Sequence, residues 1–109
     1  MQKKLKSSGN GWELYFPKPI LKILGYNPLE VRLLITSKKS SLYIEPINEE
    51  DTLKYQNNMV RRLQKSGGSY GLYFPAPLID ILGINPENDF IDVEIFENKL
   101  IVKRSENAN

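Results

Sequence analysis

The sequence contains nearly the same phrase twice, as ELYFPKPILKILGYNP at residues 13–28 and GLYFPAPLIDILGINP at residues 71–86. When residues 3–46 are aligned without a gap to residues 61–104, 14 of the 44 pairs are identical. Self-similarity at a constant offset indicates a duplicated structural unit. A copy of this length is too short to bury a stable core alone, so we expect the two copies to share one core.

The repeat divides the chain into four segments. We predict a first half at 1–46, a tether at 47–60, a second half at 61–104 and a C-terminal tail at 105–109. The tether, INEEDTLKYQNNMV, is polar and begins with acidic residues, and either a loop or a short helix fits it, with Leu53 and Met59 as candidate anchors. Two copies on one chain would form a pseudo-twofold single-chain dimer.

Alternation of apolar residues predicts the order strand, strand, short helix, strand, strand in each copy. The first strands, KKLKSS and RRLQKS, would turn Leu5 and Leu63 inward. After a glycine-containing turn, the next strand would place Leu14 and Phe16 inward, with Glu13 and Tyr15 outward. Two hairpins follow, VRLLITS with SLYIEP and FIDVEIF with KLIVKR. The predicted fold class is mainly β with short helices, arranged as one small β-barrel.

Proline and glycine bracket each short helix. Pro17 and Pro75 would end the preceding strands, while a second proline two residues later suits the first helical turn. Gly25 and Gly83 are expected to end the helices in the left-handed conformation. The buried helical faces are predicted to be Ile20, Ile23 and Leu24 in the first copy and Leu78, Ile81 and Leu82 in the second.

The 109 residues include no cysteine and no histidine. Disulfides and thiolate chemistry are therefore excluded, and the commonest general base and metal ligand are missing. We predict no catalytic residue, no metal site and no cofactor, so an enzyme is the poorest candidate. No apolar run has transmembrane length and no signal-peptide core is seen, which predicts a cytoplasmic protein without a membrane partner. Residues 1–46 carry eight basic and three acidic side chains, which favours a polyanionic partner.

Together these features resemble the AbrB/MazE (SpoVT-AbrB) family of swapped-hairpin DNA-binding domains. The resemblance rests on a glycine turn, a strand ending in aromatic–proline, a short helix, Leu-Gly-x-x-Pro and a hairpin, and it covers about 88 residues. The first copy, including KSSGNGWELYFPKPILKILGYNPLEVRLLI and SLYIEP, is similar to the MazE arm, and the second is closer to the AbrB form. Family members interleave two copies, normally on two chains, into one barrel that binds DNA. The resemblance therefore implies a built-in dimer.

The resemblance also implies which residues contact DNA, namely those on the outward faces of the first two strands, their turn and the helix. Basic side chains there would neutralise phosphates, while amide and phenol groups would reach phosphates or base edges. Glu13, Gly71 and Asp80 stand where family members usually carry basic residues. The candidate DNA-binding residues are Lys4, Lys6, Asn10, Tyr15, Lys22, Arg62, Gln64, Lys65 and Tyr73.

The leading function prediction is a DNA-binding transcriptional regulator with double-stranded DNA as its partner, acting as a monomeric pseudo-dimer or a homodimer. One alternative is an antitoxin that binds a toxin, although only SENAN follows Arg104 here whereas similar antitoxins carry a long tail. Another is a protein-interaction module with a decayed DNA face, which Glu13, Gly71 and Asp80 favour. For the basic strand residues, the competing interpretation is solvated edges that discourage aggregation. For Tyr15 and Tyr73, it is packing against neighbouring strands.

Overall fold

The computed structural model describes residues 1–55 and 59–106. Parts of two predicted segments, 56–58 of the tether and 107–109 of the tail, lie outside the described residues. The mainly β fold class with short helices is confirmed. The elements in chain order are β1 Gln2–Lys3, β2 Lys6–Ser8, β3 Gly11–Phe16, α1 Lys18–Leu24, β4 Arg32–Lys38, β5 Ser41–Ile47, a 3-10 helix Glu49–Lys54, β6 Val60–Arg62, β7 Gln64–Ser66, β8 Ser69–Phe74, α2 Ala76–Leu82, β9 Ile91–Phe96 and β10 Lys99–Arg104.

The strands form two antiparallel sheets. One has six strands in the order β1-β9-β10-β5-β4-β6, and the other has four in the order β2-β3-β8-β7. Apolar side chains from both sheets and both α-helices make one buried cluster. Within the part of the chain that the structure describes, no strand pairing joins the two sheets into a closed barrel. The single barrel expected from the sequence therefore stays a prediction.

Strands of the two copies pair with each other at the centre of both sheets. In the four-stranded sheet β3 pairs with β8, and Leu14 lies opposite Leu72, its equivalent in the repeat. In the six-stranded sheet β5 pairs with β10, and Tyr43 lies opposite its equivalent Ile101. Because both ladders centre on equivalent residues, a local twofold axis relates the two copies where they meet.

The prediction of one continuous first strand in each copy is wrong. The segment forms two short strands that belong to different sheets. In the first copy β1 pairs with β9, whereas β2 pairs with β3. Between them Leu5 is 4% exposed and belongs to the shared core. The chain crosses from one sheet to the other at this residue, because its side chain packs between them. In the second copy, β6 and β7 flank the buried Leu63 in the same way.

The helix ends follow the prediction, but the buried faces differ. Pro17 and Pro75 precede the helices, and Gly25 and Gly83 end them with φ of 75° and 67°. The predicted burial of Ile23 is wrong, because this side chain is 65% exposed. The positions that pack inward are one helical face at a spacing of three, which comprises Leu21 and Leu24 in α1 and Ile79 and Leu82 in α2.

The predicted tether starts at the last residue of β5, Ile47, and continues into the 3-10 helix, whose residues are all at least partly exposed. Thr52 stabilises it by donating from Oγ1 to the Glu49 carbonyl oxygen at 2.6 Å. Leu53 is 91% exposed, so its predicted role as an anchor is wrong. The local hydrogen bonds of the polar stretch hold the turn without burying this side chain. No helix within the described ranges is both long and apolar enough to cross a membrane.

We expect Leu72→Ala to lower the free energy of unfolding by about 2–5 kcal/mol, because it opens a cavity at a side chain with 0% exposure. The matched control Leu53→Ala removes the same atoms from a side chain that is 91% exposed, and it should change stability by less than about 0.5 kcal/mol. Chemical denaturation followed by circular dichroism measures both. Equal losses in the two variants would contradict the shared core.

Tyr26 joins the two copies and makes the fold sensitive to high pH. Its Oη donates to the Asn98 carbonyl oxygen at 2.6 Å. Burial, reinforced by the Glu45 carboxylate, raises the pKa of Tyr26 from 10.0 to about 12. Since the unfolded chain releases this proton first, the folded state holds more protons between these two values. The contribution of the neutral phenol is complete below pH 10 and is lost as the pH rises toward 12.

The variant Tyr26→Phe tests this linkage. It should cost about 1 kcal/mol at neutral pH, because one hydrogen bond is lost. It should also flatten the decline of the free energy of unfolding between pH 10 and about 12, which urea titrations at stepped pH measure. A decline as steep as that of the wild type would show that other groups cause it.

Candidate nucleic-acid interface

The four-stranded sheet has one face toward the core and one face away from it. Strand register places Lys6 opposite Glu13, Glu13 opposite Tyr73, and Tyr15 opposite Gly71. Gln64 lies opposite Gly71 on the other edge. Since Leu14, Phe16 and their equivalents are buried in the core, these alternate positions face away from it. We call this side the outer face, and it comprises Lys6, Glu13, Tyr15, Gln64, Gly71 and Tyr73.

Five of the nine predicted DNA-binding residues lie on or beside the outer face. Lys6 and Gln64 are exposed on its two edge strands, and Asn10 is exposed in the turn between β2 and β3. Tyr15 is 36% exposed, and its ring centroid lies 5.9 Å from Lys6 Nζ. Tyr73 is half-buried. Ammonium, amide and phenol groups are thus presented together, and all of them can donate hydrogen bonds to phosphate or base edges.

The other four predicted residues lie elsewhere. Lys4 stands where the chain crosses between the sheets, with Nζ 5.9 Å from the Phe90 ring centroid. Arg62 belongs to the six-stranded sheet. Lys65 pairs with Tyr70, so it points to the opposite side of β7 from Gln64. Lys22 is exposed in the last turn of α1. For Lys4 and Arg62 the reason is the sheet crossing at Leu5 and Leu63, which the sequence did not predict.

Glu13 is held down on the outer face rather than projecting from it. Its side chain is 7% exposed and its Oε1 accepts a hydrogen bond from Ser66 Oγ. The carboxylate lies directly over Gly71, where a Cβ would stand 2.7 Å from Oε2. Gly71 is the repeat equivalent of Glu13, so one copy supplies the carboxylate and the other supplies the space for it. The negative charge is therefore covered by a neighbouring strand.

Tyr73 is held by a second close contact across the copies. A Cβ at Gly11 would stand 2.6 Å from the phenol oxygen, so the ring lies over this glycine. The Arg61 guanidinium carbon is 5.5 Å from the ring centroid, within the range of a cation–π contact. Arg61 was not among the predicted site residues. Its repeat equivalent Lys3 carries the same charge, and that recurrence was the available signal.

The described residues contain no group of three or more His, Cys, Asp or Glu side chains that could hold a metal ion. The residues of the outer face offer hydrogen bonding and charge, with one exposed ammonium group among them, at Lys6. Comparison with known proteins adds no family assignment, since no family model, no curated protein and no solved structure matches the chain.

The packing of Glu13 over Gly71 makes a testable prediction. Gly71→Ala should lower the free energy of unfolding by about 1–3 kcal/mol, because the new methyl group displaces the carboxylate from its hydrogen bond with Ser66. In a Glu13→Ala background the same substitution should cost less than about 0.5 kcal/mol, because nothing is displaced. Denaturation curves of the four proteins give this double-mutant cycle. A coupling energy near zero would show that the close approach is not what constrains position 71.

Proposed function

We propose that this chain is a DNA-binding transcriptional regulator of the AbrB/MazE type, with two swapped-hairpin halves on one polypeptide forming a single barrel. The outer face contacts duplex DNA, and the turns that contain Asn10 and Gly68 lie toward the two ends of the contact. Lys6 neutralises a phosphate in the first copy. Gln64, Tyr15 and Tyr73 donate hydrogen bonds to phosphates or base edges. The proposed setting is the cytoplasm.

The observation that carries this proposal is the centred pairing of β3 with β8. Equivalent residues Leu14 and Leu72 lie opposite each other, so the outer face has the same local twofold relation as the backbone beneath it. Duplex DNA has a twofold relation of its own, which is why proteins with twofold symmetry bind palindromic half-sites. A twofold face on a single chain matches such a site without a second subunit.

The geometry of Glu13 supports the same proposal. An exposed carboxylate at the centre of the interface would repel phosphate, and its position in the sequence favoured a decayed DNA face. With the side chain 7% exposed and hydrogen-bonded by Ser66, most of the surface that DNA would meet comes from Tyr15, Lys6 and Gln64. The two copies remain unequal, because the repeat equivalent of Lys6 is the uncharged Gln64. We therefore expect the half-site beside the first copy to contribute more of the electrostatic attraction.

The test begins with selection of duplex fragments from a genomic library by the purified full chain. On the best fragment, Lys6→Ala should weaken binding and make the slope of log K against log salt shallower by about 1, because one phosphate contact is lost. The matched control is Lys103→Ala. It removes the same charge from an exposed position in β10, in the six-stranded sheet, where Lys103 Nζ lies 3.4 Å from Glu94 Oε1. This control should leave the slope unchanged.

Two results would contradict the proposal. Failure to retain any duplex fragment at about 50 mM salt, where electrostatic binding is strong, would exclude DNA as the partner. Equal changes in slope for Lys6→Ala and Lys103→Ala would show that the chain attracts DNA only through its overall charge. Either result would favour a protein partner in place of DNA.

A further inference from the structure

The 3-10 helix of the tether and the adjoining end of the six-stranded sheet border an open pocket of about 480 Å³, which we call the tether pocket. Volumes of this size are typical of sites for small molecules. One wall is apolar and is formed by Leu53, Tyr55 and Val60. Arg32, Arg61 and Arg62 also line it. The pairing of β4 with β6 puts the Arg32 and Arg62 side chains on one face of the sheet and Arg61, opposite the buried Leu33, on the other. The pocket thus combines an apolar surface with a concentration of positive charge.

The positive charges of the tether pocket are only partly balanced. Arg32 and Arg62 lie directly opposite each other on β4 and β6, an arrangement of like charges that is unfavourable by itself. Arg32 Nη2 lies 3.1 Å from Glu49 Oε1, whose side chain is 82% exposed. An ion pair with such an exposed partner contributes little. Among the described residues, neither Arg61 nor Arg62 has a carboxylate within salt-bridge distance.

Arg61 has an unmet hydrogen bond. Its Nε is buried and has no acceptor among the described residues. The contact with the Tyr73 ring restrains the guanidinium group from one side. The Arg61 side chain lies on the Tyr73 side of β6, because Arg61 pairs with the buried Leu33 whereas Arg62 pairs with Arg32. Arg61 therefore adds positive charge near the tether pocket, while Arg32 and Arg62 are the arginine side chains that a ligand there can reach.

The other end of the chain provides a comparison within the same molecule. The repeat places Phe90, Lys3 and Lys4 where the tether pocket has Arg32, Arg61 and Arg62. There the Lys4 ammonium lies over the Phe90 ring, so the charges do not face one another in the same way. Arginine presents a planar fork that matches phosphate oxygens, whereas lysine is a point charge. The fold accepts either set, so the arginines at one end point to a ligand rather than to a structural requirement.

We propose that the tether pocket binds a small organic phosphate. The phosphate group lies between the guanidinium groups of Arg32 and Arg62, and the organic part packs against Leu53, Tyr55 and Val60. This site is separate from the outer face and does not depend on the proposed DNA binding. It assigns Arg62 to this ligand instead of to DNA. A DNA backbone phosphate has the same chemistry, but it would leave the apolar wall of the pocket without a partner.

Isothermal titration calorimetry of the full chain at low salt tests the proposal, with AMP and phenyl phosphate as probes. We expect at least one probe to bind with one site per chain and a Kd below about 1 mM. Arg62→Gln should weaken that binding about tenfold or more, and Arg62→Lys should weaken it less, because the charge remains but the fork is lost. The control Lys38→Gln removes a charge from the far end of the same strand that holds Arg32, and it should have no effect.

The remaining outcomes separate this proposal from others. Adenosine and phenol, which lack the phosphate, should bind at least tenfold more weakly than their phosphorylated counterparts, and equal binding would exclude the phosphate as the recognised group. Inorganic phosphate that binds as tightly as both probes would exclude a role for the apolar wall. Saturable binding of neither probe up to about 5 mM would overturn the proposal. If Arg62→Gln weakened duplex DNA binding tenfold while neither probe bound, the cluster would belong to the DNA interface.

Discussion

The antiparallel pairing of β3 with β8 is the constraint on which the rest of the structure depends. The first copy alone would leave one edge of β3 and one edge of β5 without hydrogen-bond partners, and the second copy would leave the matching edges of β8 and β10 unpaired. Buried backbone groups must be paired. Each copy would also expose its share of a core that includes Leu14, Leu72 and the helices. A half of this size cannot offset the unpaired hydrogen bonds and the exposed apolar surface, which is why the two copies have to pair with each other.

The same pairing brings residues of different copies into direct contact, so the two halves no longer have to be alike. Glu13 lies over Gly71, and Tyr73 lies over Gly11. At the ends of the six-stranded sheet, Arg32 faces Arg62 while its equivalent Phe90 lies under Lys4. The backbone keeps a local twofold relation at its centre, whereas the side chains at the surface differ. Both proposed sites use this difference.

Sequence reasoning was most reliable where the physical cause is local. Proline before the helices and left-handed glycine after them act within a few residues, so the ends of α1 and α2 could be predicted. The alternation that buries Leu14 and Phe16 is equally local. The switch between sheets at Leu5 depends instead on packing against distant strands. For the same reason the sequence predicted Ile23 instead of Leu21 as a buried helical position.

The candidate site shows the same limit. Lys6, Asn10 and Gln64 could be grouped from the sequence, because neighbouring positions on paired strands and their turn stay together. Arg62 and Lys65 could not be separated from them, because one lies beyond the sheet switch and the other has the opposite parity along β7. Arg61 and the arginine cluster of the tether pocket require the pairing of β4 with β6, which joins the two copies across the tether.

The carboxylate of Glu13 over Gly71 has a consequence for exchanging one half of the chain for the other. Two first copies assembled together would bring two carboxylates into the space that now holds one, and two second copies would leave that space empty. The two halves are therefore complementary at this position, because the Ser66–Glu13 hydrogen bond needs a carboxylate from one copy and a glycine from the other.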